Sequence, residues 1–150
     1  MKQSIIFTLS LLLLTSLSIG QNIIDQKFSN LKRQENVTSV HVAAKTFELA
    51  ASLEFEDEEL EDFRTFAESI QSFDLIAASE LPNPKTEYRA ALRKVAVTHD
   101  EWMSIQEESG TFTFLVDESN GIVRELVMVG TGDNELIIFS LMGNMELDQL

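Results

Sequence analysis

No cysteine occurs anywhere in the 150 residues. This excludes a disulfide framework, a cysteine-ligated metal and a thiol nucleophile together. It also excludes the lipid-bearing cysteine that a bacterial lipoprotein carries directly after its leader. Basic residues are scarce, 11 Lys and Arg against 25 Asp and Glu, for a formal net charge of −14. Nucleic-acid binding needs clustered cations to displace counterions, and docking on anionic lipid needs them too, so neither class fits. Only two histidines are present, His41 and His99. There is no glycine-rich phosphate loop, no G-x-S-x-G elbow and no H-E-x-x-H pair. No catalytic, cofactor-binding or metal-binding residue is assigned, and no cofactor is implied.

One long apolar run exists, and it lies at the start. Met1-Lys2 supplies a positive end, Ile5 to Leu14 an apolar stretch, and Ser16, Ser18 and Gly20 small residues suited to a peptidase. The stretch is shorter than the ~20 residues that a membrane-spanning helix needs. Residues 1–20 are therefore expected to be a signal peptide cleaved after Gly20. Residues 21–150 are expected to form a single exported domain, periplasmic or secreted, with no membrane insertion after cleavage.

The best-patterned stretch runs from Thr111 to Met142 as TFTFLVDES, NG, IVRELVMVG, TGDN and ELIIFSLM. Apolar segments bounded by turn residues describe a strand meander. Asn120-Gly121 suits a type I′ hairpin turn, which needs positive φ at both central residues. Thr131 to Asn134 closes the next hairpin. Two earlier strands are expected at Val37–Ala44 and Phe73–Ala78, and another at Glu101–Glu107. Helical spacing predicts helices over Asn22–Arg33 (Ile24, Phe28, Leu31), over Lys45–Leu53, and over Leu60 to Ser72. A further helix opens at Asn83-Pro84, an N-cap followed by proline at N1, and ends near Thr98. The architecture is thus α+β: an antiparallel C-terminal meander joined by two N-terminal strands, with the two main helices on one sheet face.

Few residues offer chemistry. His99-Asp100-Glu101 resembles an acid–base or metal cluster, but neighbours at a strand start point to opposite sides and cannot converge. A polar strand entrance explains them. His41 could act as a general base, yet no partner stands at a recognisable spacing. The acidic run Glu54–Asp62 lacks the spacing and glycine of a calcium loop, and carboxylates in a helix's first turn suit the helix dipole instead. Enzyme activity is uncertain and the less expected outcome.

A two-residue Asn120-Gly121 turn sets Ser119 opposite Ile122, Asp117 opposite Arg124 and Leu115 opposite Leu126. Phe112, Phe114 and Val116 then form the core with Val123, Val127 and Val129. The other face receives Trp102, Leu115, Leu126, Met128, Ile137, Phe139 and Leu141. A solvated face would be mostly polar. This one needs a cover: the terminal helices (Ile24, Phe28, Leu31, Met145, Leu147), a protein partner or a homodimer.

Two segments carry a family resemblance: VTSVHVAAKTF (Val37–Phe47), and VRELVMVGTGDNELIIFSLMGNMELDQL from Val123 to the end, with Gly143, Met145, Glu146, Leu147 and Leu150 at its close. They resemble domain-of-unknown-function family 4252, exported proteins of Bacteroidota. The resemblance implies an envelope or secreted location and supplies no activity, cofactor or catalytic residue. Many members look like lipoproteins, and this chain departs from them in lacking the cysteine. The sequence therefore reads as an exported, non-catalytic interaction or accessory protein of the cell envelope. The alternative is a small ligand- or cation-binding module or hydrolase using His41 or the acidic run.

Overall fold

The computed structural model describes residues 20–53 and 58–150, with residues 58–60 through their backbone alone. In chain order the elements are α1 (Ile23–Lys27), β1 (Val37–Ala43), α2 (Ala44–Ala51), α3 (Glu58–Ser69), β2 (Ile70–Ala78), α4 (Pro84–Val95), β3 (Asp100–Gln106), β4 (Thr111–Ser119), β5 (Ile122–Thr131) and β6 (Leu136–Glu146). Single 3₁₀ turns lie at Leu31–Arg33 and Leu147–Gln149. The six strands form one antiparallel sheet in the order β1-β2-β6-β5-β4-β3. The expected meander is present, and the N-terminal pair β1–β2 docks against its last strand. The fold is α+β.

The helices do not share one face, contrary to expectation. On the first face, α1 and α4 bury Ile23, Ile24, Phe28, Ala91 and Val95 against Ile76, Leu115, Val127, Val129 and Ile138. On the second face, Phe47 of α2 and Phe66 of α3 pack on a smaller core of Ile70, Val116, Val123, Leu126 and Met145. Amphipathic helices need one apolar surface each, and a wide sheet offers two.

The hairpin at Asn120-Gly121 forms as its residues dictate, with φ of 55° and 80°. Ser119 pairs with Ile122, but the register expected beyond it does not hold. Arg124 is an extra residue on β5, so Asp117 faces Glu125, Val116 faces Leu126 and Leu115 faces Val127. A one-residue slip exchanges the two faces of every following position. Leu115 therefore joins the first face. Leu126 and Met128 stay on the second, now beside Phe114 and Val116.

Three rows across the sheet define that second face. One reads Thr38, Ala77, Ile137, Gly130, Phe112 and Ile105; the next reads Val40, Leu75, Phe139, Met128, Phe114 and Met103. The third, Val42, Phe73, Leu141, Leu126 and Val116, lies in the region that α2 and α3 pack against.

Other boundaries moved for local reasons. The helix expected over Asn22–Arg33 stops at Lys27 and resumes as the 3₁₀ turn, because Ser29-Asn30 favour turns over helix interior. α3 ends at Ser69, and β2 begins at once with Ile70 opposite Gly143. A Cβ on residue 143 would stand 2.2 Å from the Ser69 carbonyl oxygen, so glycine alone admits that junction. β6 runs on past Gly143 to Glu146, and the 3₁₀ turn Leu147–Gln149 follows it at once. Asn83 precedes α4 but makes no side-chain cap bond. Residues 54–57 of the acidic run lie outside the described residues.

Candidate functional site

Three adjacent interior strands each carry a polar residue where the pattern calls for an apolar one: Asp74 in β2, Ser140 in β6 and Glu125 in β5. All three point to the first face and are buried. Burying a carboxylate is costly unless hydrogen bonds satisfy it, and these are satisfied. Glu125 Oε1 accepts the backbone N–H of Ile23 at 2.7 Å and the hydroxyl of Ser140. Glu125 Oε2 lies 3.0 Å from His99 Nε2. A carboxylate only accepts, so Nε2 carries the proton, while Nδ1 stands 2.8 Å from the Thr98 hydroxyl.

Asp74 is the centre of a second group. Its Oδ2 accepts from Asn22 Nδ2 at 2.9 Å and its Oδ1 from His41 Nδ1 at 2.8 Å. Asn22 is also the N-cap of α1, its Oδ1 accepting the Asp25 N–H at 2.9 Å. The Asp74 side chain is 2% exposed and that of His41 57%. Among the described residues no buried side-chain nitrogen or oxygen lacks a partner.

The two groups meet under the start of α1. Glu125 receives an otherwise unpaired N–H of its first turn, where the helix dipole favours a negative charge. Asp74 holds its cap residue. The arrangement fastens Asn22 and Ile23 to the sheet through partners 52 and 102 residues away in sequence. As chemistry it offers little. His99 and Glu125 are sealed from solvent. The exposed edge of His41 has a carboxylate behind it, as a general base would, but among the described residues no hydroxyl nucleophile is bonded to it.

The sequence did not bring these residues together. His99, expected at a polar strand entrance, is buried. His41, without a visible partner, faces Asp74 directly across the β1–β2 ladder. The readable signal was the interruption of apolar runs: FDLIAA by Asp74, IIFSLM by Ser140 and IVRELVMV by Glu125. No group of three or more histidine or acidic side chains able to hold a metal exists among the described residues.

Open clefts among the described residues lie elsewhere. One of about 770 Å³ sits between the start of α4 and the β3–β4 and β5–β6 turns, its lining including Lys85 and Arg89 as well as Glu107, Glu108 and Asp133. A smaller one of about 490 Å³ is lined by Asp62, Phe63, Phe66, Glu146, Asp148 and Gln149. Neither includes a residue of the buried network. Two surface cations are held more firmly in their charged form: Arg124, raised by its hydrogen bond and charge contact with Asp117, and Lys45, raised likewise by Glu48.

The residues predicted to share an interaction face are divided by the bulges. Leu115 is in the core of the first face. Trp102 occupies an irregular position on the edge strand, between Glu101 and Met103, and is exposed. Leu126 and Met128 are buried on the second face, and Ile137, Phe139 and Leu141 beside them are half-buried. The terminal cover went elsewhere: Ile24, Phe28 and Leu31 pack on the first face, Met145 is itself a strand residue of the second, and Leu147 is exposed. Among the described residues, the second face is consequently covered only in part. Val40, Met103 and Ile105 are 42%, 42% and 40% exposed. No helix among the described residues is long and apolar enough to cross a membrane.

Compared with known families, residues 29–150 match the family model described as a domain of unknown function, DUF4252. No curated protein sequence matches the chain, and no solved structure does.

Proposed function

We propose, from the premise that the chain belongs to the DUF4252 family, that it is an exported, non-catalytic interaction protein of the bacterial cell envelope, and that its binding surface is the second sheet face. The observation that carries this is the pair of uncharged rows left half open on a chain of net charge −14. A solubilising surface would place charges there, as it does at Glu107 and Glu108 in the β3–β4 turn and at Asp133 and Glu135 in the β5–β6 turn. An apolar area that the chain's own helices leave uncovered is the usual mark of a protein contact. The polar residues offer no rival, because all but His41 serve to fasten α1. Export rests on the leader pattern of residues 1–20.

Intact mass spectrometry of the protein from its native cells is expected to give a chain beginning at Gln21, recovered in the soluble periplasmic or medium fraction. Recovery of a chain retaining Met1, in the membrane fraction, would contradict export as a soluble protein.

A further inference from the structure

Charge is distributed unevenly over the two sides of the sheet. Seven of the 11 basic residues (Lys27, Lys32, Arg33, Lys85, Arg89, Arg93, Lys94) lie in α1, the 3₁₀ turn after it and α4, the elements covering the first face. The layer on the second face has only Lys45 and Arg64. Each is already paired within its own helix, to Glu48 and Glu61. Against them stand the exposed carboxylates Asp62 and Glu68 of α3. At the opposite ends of the strands the turns carry Glu80 and Glu135, both exposed, beside Glu107, Glu108 and Asp133, which share their cleft with Lys85 and Arg89. The two open rows therefore run between two acidic margins.

Their dimensions select an occupant. Six strands spaced ~4.8 Å apart make each row roughly 24 Å long, and rows two residues apart along a strand lie about 7 Å from each other. A helix of about 16 residues has that length, and its apolar stripe has that width. Resting on this face's role in binding, the geometry points to an amphipathic helix of a partner protein, with lysine or arginine flanking its apolar stripe on both sides. The stripe covers the rows and the flanking cations meet the two margins. A second copy of this chain fits poorly. Face to face it opposes acidic margins, and its basic side presents charged helix surfaces that cannot cover apolar rows.

The test uses an 18-residue peptide of leucine and lysine patterned as an amphipathic helix, and its counterpart with glutamate for lysine. Binding is followed by calorimetry and by the fluorescence of Trp102, the single tryptophan, next to Met103. Saturable one-to-one binding of the lysine peptide is expected, with none of the glutamate peptide. The Val40→Ser/Ile105→Ser variant, unchanged in charge and altered only at exposed positions, should bind at least about ten-fold more weakly while melting as the parent does. Met103→Ser serves in its place if that variant melts early. Undiminished binding by the serine variant would show mere charge attraction and overturn the assignment. Equal binding of both peptides would do so too, as would light scattering showing a dimer that the serine changes dissolve. If the peptide fails while a thiol at position 105 is still shielded in native cells, the basic-helix assignment falls and the interaction role stands.

Discussion

Replacing Glu125 with leucine is expected to destabilise the protein by roughly 3–5 kcal/mol, the lower part of what three buried donors left without an acceptor cost at ~1–3 kcal/mol each. The shape of the side chain is nearly kept, so the loss comes from what the carboxylate leaves behind. The Ile23 N–H, the Ser140 hydroxyl and the His99 ring each lose their acceptor in a closed interior. An unsatisfied buried donor costs about 1–3 kcal/mol. Glu125→Gln should cost less, since its carbonyl oxygen can still accept from Ile23 and Ser140. Urea denaturation of the three proteins measures this. A leucine variant within about 1 kcal/mol of the parent would mean that the network is not closed as described.

Removing residues 22–28 is expected to leave no cooperatively folded protein at room temperature. Ile23, Ile24 and Phe28 are buried to 1%, 0% and 3% exposure. Each contributes about 1.5–3 kcal/mol by burial, and the carboxylates of Glu125 and Asp74 lose partners at the same time. Together this rivals the whole stability of a typical domain, roughly 5–15 kcal/mol. The family model begins at residue 29, so a chain trimmed to that match would lack the segment. Loss of dispersion in an amide NMR spectrum is the readout. A cooperative melt within a few degrees of the parent would show α1 to be an accessory rather than part of the core.

The meander could be read from the sequence because its signals are local. Asn120-Gly121 specifies its own turn, and alternation specifies each strand. What could not be read is where alternation slips. Arg124 gives no sign of being an extra residue, yet it moves Leu115 to one face and Leu126 to the other. The irregularities at Gln71 and at Trp102 have no local signature either. The buried network was hidden for a related reason. His41, Asp74, Ser140, Glu125 and Asn22 are brought together by strand order, and the adjacency of β2 to β6 is a long-range outcome. The second face was anticipated as an apolar surface in need of a cover, although its membership and its partial cover by α2 and α3 were not.

The absence of cysteine makes the open face directly measurable. Single thiols are introduced by Ile105→Cys on the open rows and by Ser119→Cys in the exposed β4–β5 hairpin, and their maleimide labelling rates are compared between purified protein and intact native cells. A face that serves a partner predicts rapid labelling at both positions in the purified protein. In cells, position 105 should label several-fold more slowly and position 119 at an unchanged rate. Equal rates at position 105 in cells and in purified protein would contradict the central claim.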